Sequence, residues 1–534
     1  GGASRRPRGG RPAGAPAGVL ADRPGFPSEW PFLRRCLDPH SAGGLLNYSL
    51  PACQAGGSSD FAAGARVAVV GGGPAGTSMA KLLHDRGFVH VTLLEASDRL
   101  GGKSRSFNVN GEAHELGTCY ASGKYECIEL WARSVGMTEV GIDGWGRLIS
   151  SDKAVLYNMT APAFGGMLEY MTDYSFRHYG IPPDSYVVEL YAAADAYNAH
   201  WAATMGGSGY MFPSDPSQVD LSALNQTFES WLAERNLTAL APFVNVAMNA
   251  QGYGSADKVP ALYGLMWIHP NFVHAASSGF VAVFKEGYQT LWERIIATTG
   301  VEVRLNAKVG QIRRQGSAVV VQFEEGREEA FDWLVMAAPM PQALALMADA
   351  SDEERDLFGS YNFHELSVSL WNQSSTGVLP SDYKLFSFAD RWPEMSKYYR
   401  MSDVGGRMVR EMYDAAGDDG PFTIRNDANV GASSSSVAVS YQTSDFNSTD
   451  AALAAAVVRD AGRYGMKLDL IQQQRWEYMP HYSLDEVVRE RKPWRIWDLQ
   501  GKRRTWWVGS HVSFESVADV LDYNLQLVNS RLCA

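Results

Sequence analysis

The chain has 534 residues, of which 46% are hydrophobic and 11% aromatic, and its formal net charge at pH 7 is −12. This composition argues against a disordered chain and supplies apolar surface for a large interior. The acidic balance argues against a nucleic-acid partner, which would need a basic face, and against broad attraction to anionic lipid. No apolar run approaches the ~18 residues that span a bilayer, so no transmembrane segment is predicted.

The first 64 residues predict an irregular arm, because glycine, proline and serine are frequent there. Residues 1–20 are rich in Gly, Ala, Arg and Pro, which is typical of a disordered tail or of the remnant of a targeting segment. Six Asn-x-Ser/Thr sequons slightly favour a secretory route over a plastid or the cytosol. Cys36 and Cys53 are candidates for a disulfide bond. The sequence leaves the oligomeric state open.

Ordered structure is predicted to begin at Arg66 with a strand–turn–helix–strand unit. The apolar run Val67 to Val70 is typical of a buried parallel strand, a helix then ends near Gly87, and His90 to Glu95 forms the second strand. Helical periodicity follows over residues 150–285. Later strands are predicted at 301–305, 310–313, 318–323, 331–337, 366–370 and 437–441. A closing helix has the apolar face Val517, Val520, Leu521, Leu525 and Val528.

A glycine-rich motif, Gly71-Gly72-Gly73-Pro74-Ala75-Gly76, joins the first strand to the first helix. Gly71 permits the tight turn, Gly73 lets a pyrophosphate approach the backbone, and Gly76 allows close helix–strand packing. The N–H groups and the dipole of the helix N-terminus favour phosphate. Glu95 stands nineteen residues after Gly76, where it can accept hydrogen bonds from a ribose diol. The motif therefore predicts dinucleotide binding.

The segments after this motif resemble the flavin-dependent amine oxidase superfamily. Arg99-Leu100-Gly101-Gly102-Lys103 resembles its R-x-G-G-R/K element, and Glu115-Leu116-Gly117 resembles the next one. Ala307-Lys308-Val309 is similar to the segment that meets the adenine, and Gly509 with its following helix to the closing flavin motif. Ser510 departs from the pattern, which usually has an acid there. The resemblance implies that the dinucleotide is FAD, bound covalently or non-covalently.

The cofactor-binding residues that the motifs and the resemblance imply are Gly71, Gly73, Pro74, Ala75, Gly76, Glu95, Arg99, Gly101, Gly102, Lys103, Val309, Gly509, Ser510 and Phe514. The implied fold is α/β, with a discontinuous Rossmann-type FAD-binding domain, a mixed-sheet substrate domain and a helical lid region. The predicted boundaries are 1–64 for the arm, 65–149, 286–345 and 496–534 for the FAD-binding domain, 150–285 for the helical region and 346–495 for the mixed sheet. No HExxH or GxSxG motif is present, so no metal site or serine nucleophile elbow is predicted.

Several further segments resemble the FAD-dependent polyunsaturated fatty acid isomerases of this superfamily. They are 252–254, 259–263, 478–481, 500–504 and 509–514. The resemblance implies a free polyunsaturated fatty acid as substrate. In this chemistry, a bis-allylic methylene gives a hydride to flavin N5 and the hydride returns to another carbon, so that a conjugated diene forms. The alternatives are an amine oxidase, a carotenoid-type desaturase, or a flavin-binding protein without turnover.

Three catalytic candidates follow from the same resemblance. Arg147 matches the Arg that binds the substrate carboxylate, and a surface Arg is the alternative interpretation. His481 and Tyr482 are candidates to face the flavin, although a buried structural histidine is equally plausible at 481. Ala276 stands where the isomerases have an aromatic gate. Candidates for the channel lining, which are also typical of plain core, are Trp267, Phe272, Phe280 and Phe284.

Overall fold

A computed structural model describes thirteen segments of the chain. They are residues 64–109, 111–141, 147–149, 156–158, 165–206, 210–249, 251–273, 281–375, 385–387, 422–426, 437–444, 448–462 and 466–532. The predicted arm and its two cysteines therefore lie outside the described residues. No helix within these segments is long and apolar enough to cross a membrane.

The first layer is a five-stranded parallel sheet. From edge to edge it contains Glu302–Arg304, His90–Leu94, Arg66–Val70, Trp333–Met336 and Thr505–Trp507. The central strands are almost entirely buried, as their continuous apolar sequences predict for a sheet covered on both faces. Helices Pro74–Asp85, Tyr288–Ala297 and Val517–Leu527 pack together beside it. The Rossmann-type part of the predicted α/β fold is confirmed.

The predicted strand at 331–337 is wrong in its extent, because two strands of different sheets meet there. Glu328–Phe331 pairs antiparallel with Ala318–Phe323, whereas Trp333–Met336 lies in the parallel sheet. Asp332 separates them: its carboxylate accepts the Arg66 backbone N–H at 2.7 Å, and its own N–H donates to the Arg66 carbonyl. The stretch 331–337 is apolar apart from Asp332, and its pattern alone did not reveal this change of partner.

The second layer is a seven-stranded sheet in which one neighbouring pair is parallel and the others are antiparallel. Its order is Met466–His481, Asn362–Ser375, Val437–Ser444, Phe422–Asn426, Leu385–Ser387, Arg147–Ile149 and Leu156–Asn158. The last two strands come from a much earlier part of the chain than the others. A small separate core lies on this sheet and includes Leu116, Leu366, Val368 and Val439.

Smaller elements connect the two layers. The remaining strands are Val309–Gln315 beside Ala318–Phe323, Ser106–Val109 beside Glu112–Glu115, and Val281–Phe284 between Ala121–Ser122 and Glu139–Gly141. Further α-helices within the described segments include Glu126–Ser134, Gly165–Tyr179, Tyr186–Met205, Phe228–Glu234, Ala241–Asn249, Ala261–Trp267, Met340–Leu346, Asp352–Phe358, Asp450–Gly462, Leu484–Val488 and Lys492–Leu499. Short helical turns occur at Thr238–Leu240, Lys502–Arg504 and Val528–Leu532.

The closing helix Val517–Leu527 is buried on every side, not on one apolar face alone. It lies between helices Pro74–Asp85 and Glu126–Ser134. Its polar side chains are hydrogen-bonded: Asp522 accepts the Met211 N–H at 2.6 Å, and the Asn524 amide donates to the Ala75 carbonyl at 2.9 Å. These bonds offset the cost of burying polar groups, so the helix can occupy the interior beside the glycine motif.

Candidate functional site

The glycine turn at residues 71–76 has a geometry that only glycine permits at two positions. Gly71 has a φ of 110°, and a Cβ at Gly76 would stand 1.8 Å from the Gly71 carbonyl oxygen. A Cβ at Gly73, in contrast, would meet nothing closer than the Gly102 Cα at 3.6 Å. The fold therefore requires glycine at positions 71 and 76, whereas the absence of a side chain at position 73 leaves the backbone accessible to a ligand.

The helix that follows this turn begins without an acidic residue in its first turn and without a side-chain cap. Its N-cap is Gly73, and Pro74 is its first residue. Such a helix end offers its N–H groups and its dipole to an anion. The predicted roles of Gly73, Pro74 and Ala75 are compatible with this arrangement.

A second glycine loop, at residues 99–103, lies directly against the first. The Gly101 N–H donates to the Gly72 carbonyl at 2.9 Å, and a Cβ at Gly102 would approach the Gly73 Cα to 3.0 Å. The Arg99 guanidinium donates to the Leu100 and Gly102 carbonyls at 3.2 and 2.9 Å. Burial lowers the pKa of Arg99, but a guanidinium stays charged. Arg99 thus holds this loop in place.

Glu95, the predicted ribose contact, lies beside the glycine turn. One carboxylate oxygen accepts the Gly72 N–H at 2.6 Å, and the other accepts the Ser97 N–H at 2.8 Å. The Glu95 carbonyl accepts the Ala307 N–H at 2.9 Å, so the segment that leads to Val309 lies alongside. The glycine turn and the helix N-terminus, which has no acidic residue in its first turn, fit a diphosphate. Together with the Glu95 carboxylate they fit the diphosphate and ribose of a dinucleotide.

The closing loop, residues 509–516, returns the chain to the glycine turn. Gly509 has a φ of 116°, and a Cβ there would lie 3.6 Å from the Ala75 Cβ. Ser516 caps the next helix by accepting the Asp519 N–H at 3.1 Å. Gly509 is thus placed beside the first turn of the helix that begins at Pro74.

The acidic charge of the closing loop is carried by Glu515. Its side chain is only 4% exposed, and it accepts Lys103 Nζ at 2.8 and 3.0 Å and the Met479 N–H at 2.9 Å. The Ser510 hydroxyl bonds to it as well. Burial raises the pKa of Glu515, against the opposing effect of Lys103. The sequence interpretation missed Glu515, although the absent acid at Ser510 was a signal to search the rest of this loop.

An aromatic wall, formed by Tyr253, Trp267, Tyr478 and Phe514, stands next to this loop. Tyr253 and Tyr478 are parallel within 4°, with ring centroids 5.5 Å apart and hydroxyl oxygens 3.4 Å apart. Tyr253 also meets Trp267 and Phe514 edge-on, at 4.8 and 5.0 Å. Phe514 was predicted from the closing motif, whereas the wall as a whole requires contacts between distant segments.

Two lysines contact the aromatic wall, and both are ion-paired. Lys103 Nζ lies 5.5 Å from the Tyr478 ring and pairs with Glu515. Lys124 Nζ is fully buried, lies 4.7 Å from the Trp267 ring and pairs with the equally buried Asp519. Lys124 Nζ also donates to the Met266 carbonyl at 3.0 Å. The positive charges beside the rings are thus compensated.

Neutral histidines adjoin the wall. His481 Nδ1 lies 2.8 Å from the Met479 carbonyl, and the ring centroids of His481 and His364 are 5.4 Å apart. Burial, followed by the charge of His481, lowers the pKa of His364 to about 3, and burial lowers the pKa of His481. Burial and then Lys103 lower the pKa of His511. His481 is nevertheless partly exposed.

The other residues predicted to be catalytic or to line the substrate channel lie in different parts of the fold. Arg147 begins a strand at one end of the seven-stranded sheet, and its side chain is outside the described part of the structure. Tyr482 is 1% exposed, and its hydroxyl donates to the Leu357 carbonyl, which gives it a packing role. Phe284 is buried against Tyr288. Ala276 and Phe280 lie outside the described residues.

Comparison with known proteins agrees with this geometry. A family model described as flavin containing amine oxidoreductase matches residues 74–519. The chain is 24% identical over 344 residues to the polyenoic fatty acid isomerase of Ptilota filicina, covering 61% of this chain and 66% of that protein. It is 26% identical over 294 residues to the flavin-containing amine oxidase B of Canis lupus familiaris, covering 52% of this chain and 51% of the oxidase.

Two solved structures share the fold. One is the CLA-producing fatty acid isomerase from P. acnes, with a TM-score of 0.69 and 20% identity, covering 88% of this chain and 99% of that one. The other is a putrescine oxidase, with a TM-score of 0.61 and 15% identity, covering 88% of this chain and 99% of that one. Since the family model spans most of the sequence, the chain belongs to the flavin containing amine oxidoreductase family.

Proposed function

We propose that the chain is an FAD-dependent isomerase that converts methylene-interrupted double bonds of polyunsaturated fatty acids into conjugated ones. The observation that carries this proposal is the contact between Tyr253 and Tyr478. Two rings that sandwich a substrate group need a separation of about 7 Å, because each carbon contact takes ~3.5 Å. The two centroids are 5.5 Å apart. The pair therefore leaves no slot for a substrate group between its rings, and ring faces of this kind suit a hydrocarbon chain.

The cofactor proposed here is FAD. Its diphosphate is assigned to the glycine turn at residues 71–76 and its adenosine ribose to Glu95. The glycine loop at 99–103 and the closing loop at 509–516 are assigned to the remainder of the cofactor. A bound flavin supplies reversible acceptance of a hydride, which is the chemistry that this isomerisation requires.

The aromatic wall has a defined electrostatic task in this proposal. Removal of a hydride from a bis-allylic methylene leaves a delocalised cation on the substrate, and aromatic faces stabilise a cation in contact with them. Unpaired positive charges nearby would destabilise this substrate cation by repulsion. Lys103 and Lys124 are both ion-paired, and burial lowers the pKa of His364 and His481, so that both rings are neutral. The same rings exclude water, which would trap the cation.

The substrate's affinity and its register along the wall are assigned to different groups. Burial of ten methylenes at ~0.8 kcal/mol each contributes ~8 kcal/mol, whereas one charged hydrogen bond contributes ~1.5–3 kcal/mol. The hydrocarbon chain thus supplies most of the affinity. Arg147 is proposed to bind the carboxylate and so to fix which methylene reacts.

The test is incubation of the purified yellow protein with linoleate or arachidonate. Conjugated-diene absorbance should rise with neither oxygen uptake nor peroxide release. The variant Gly73→Ala, expected to fold with less flavin, is the control, and its diene formation should fall in proportion to its flavin content. Stoichiometric peroxide from an amine, with no diene from either fatty acid, would reject the proposal.

A second candidate is a substrate-oxidising flavoenzyme, either an amine oxidase or a carotenoid-type desaturase. The similarity to amine oxidase B and to a putrescine oxidase favours the amine oxidase. An amine that binds as its cation gains affinity from a carboxylate or an aromatic face beside it. Glu515, the carboxylate next to the aromatic wall, is already paired with Lys103. Oxygen consumption with an amine and none with linoleate would favour this second function.

A further inference from the structure

Met479 is a strained residue in the corner between the wall residue Tyr478 and His481. Its φ is 48°, in the left-handed region that non-glycine residues rarely adopt, and it is 1% exposed. The corner is a β-bulge, because Asn362 pairs with His481 and His364 pairs with Tyr478. Bulges of this kind redirect side chains at functional sites, and strain persists only where neighbouring groups hold it.

Glu515 holds this corner from the cofactor side. Its carboxylate accepts the Met479 N–H at 2.9 Å, and the same carboxylate accepts both hydrogen bonds from Lys103 of the second glycine loop. The carboxylate side chain is 4% exposed, so water does not compete for these bonds. One buried group thus joins the second glycine loop, the closing loop and the seven-stranded sheet.

The backbone carbonyl of Met479 determines which ring nitrogen of His481 carries the hydrogen. The Met479 carbonyl lies 2.8 Å from His481 Nδ1, and a carbonyl can only accept. Nδ1 therefore carries the hydrogen, and in the neutral ring Nε2 is left as an acceptor. A continuous series of bonds runs from Lys103 to Glu515, through the N–H and carbonyl of Met479, to His481.

We infer that Glu515 is a positioning residue, which couples the second glycine loop at Lys103 to His481 by holding Met479. It sets one tautomer of His481 and thereby presents a hydrogen-bond acceptor, not a donor, beside the aromatic wall that is proposed to meet a positively charged hydrocarbon. That consequence for substrate rests on the proposed function. The control of the His481 tautomer by Glu515 is independent of the proposed function, and it can be measured with no substrate present.

The measurement is nitrogen-15 NMR of histidine-labelled holoprotein, with the His481 signals assigned by their loss in His481→Gln. The wild-type chain should show only the Nδ1–H tautomer of His481. Glu515→Ala removes the acceptor for Met479, so a mixture of tautomers is expected. Glu515→Gln should restore the single tautomer, because its amide oxygen can accept the same N–H. A single tautomer in Glu515→Ala would overturn the inference.

Two further variants separate positioning from general stability. Glu354→Ala removes another buried carboxylate, whose partner is Arg314 at 2.5 Å and not Met479, and it should leave the His481 tautomer unchanged. Where Glu515→Ala alone does not fold, Glu515→Ala combined with Met479→Gly relieves the positive φ and should show the same mixture. A tautomer mixture in Glu354→Ala equal to that in Glu515→Ala would also overturn the inference, because loss of any buried ion pair would then suffice. Absence of diene formation in the wild-type chain would leave the tautomer result intact and count against the proposed function alone.

Discussion

The glycine turn and the aromatic wall lie close together in the fold but are built from very different spans of sequence. The turn, its helix and Glu95 lie within thirty residues, from Arg66 to Glu95. The wall unites Tyr253, Trp267, Tyr478 and Phe514 from separate segments. The turn is constrained by backbone geometry that one short motif encodes, whereas the wall depends on how distant strands and helices pack. The first region is therefore expected to tolerate few substitutions, and the second to tolerate those that keep ring contacts.

The largest effect on stability should come from Gly76→Ala, which places a Cβ inside the turn itself. Its Cβ would stand 1.8 Å from the Gly71 carbonyl oxygen, so the free energy of unfolding should fall by about 3 kcal/mol or more. Thermal unfolding and flavin absorbance per chain measure both consequences. Gly310→Ala, where the nearest atom is 3.5 Å away, is the matched control and should behave like wild type. A stable, yellow Gly76→Ala protein would contradict the geometry of the turn.

Glu95→Ala keeps every glycine of the turn, but it removes both the proposed ribose contact and the acceptor of the Gly72 N–H. Loss of hydrogen bonds to a charged group costs ~1.5–3 kcal/mol, so flavin affinity should fall roughly 10- to 150-fold. Flavin retained after gel filtration measures this. Glu325→Gln, at an exposed glutamate, should keep the wild-type flavin content. A fully yellow Glu95→Ala protein would remove Glu95 from the cofactor site.

Arg147→Ala addresses the substrate side alone. Loss of one charged hydrogen bond to the carboxylate should raise KM by roughly 10-fold or more and broaden the set of conjugated products, with flavin content unchanged. Steady-state kinetics and product analysis by mass spectrometry provide the measurement. Lys substitution at the same position is the control and should recover part of the KM, because it restores the charge. An unaltered KM and product pattern in the alanine variant would place Arg147 outside the substrate site.

The effect that is smallest near neutral pH concerns the buried histidines with lowered pKa values, through the dependence of stability on pH. Burial, then the charge of His481, lowers the pKa of His364 to about 3, so the unfolded chain binds this proton first as the pH falls below 6.5. The free energy of unfolding should therefore decrease towards acid, by up to about 1.4 kcal/mol per pH unit from this residue. His364→Gln should show a shallower slope between pH 4.5 and 6.5 in denaturant titrations. His90→Gln, at an exposed site, should keep the wild-type slope, and equal slopes for all three proteins would contradict the burial argument.

The sequence predicted the parts of the molecule that depend on local rules. The strand at Arg66–Val70, the glycine turn and the strand at His90–Leu94 were all located, because each follows from a motif or an apolar run. The break at Asp332 was missed because the two strands on either side of this one charged residue follow each other directly while pairing in different sheets. Pairing of Arg147–Ile149 with Leu385–Ser387 joins segments more than two hundred residues apart, and no single-sequence pattern encodes it.

The same limit applies to the site. The motifs named Lys103 as a cofactor-binding residue, but its partner Glu515 lies more than four hundred residues away, and the pair became visible only in the fold. Tyr253 and Tyr478 stood in segments that resemble the isomerases, without a sign that their rings meet. No sequence pattern pointed to Lys124 or Asp519, because their importance depends on their burial as an ion pair, which is apparent only in the fold.

The most direct test of the central claim follows one labelled atom. Linoleate carrying deuterium at its bis-allylic carbon is incubated with the yellow protein in ordinary water under nitrogen, and the conjugated product is examined by mass spectrometry and NMR. A hydride that leaves and returns predicts full retention of deuterium at a new carbon. Loss of the label to water, or formation of a conjugated product only when oxygen is admitted, would contradict the account.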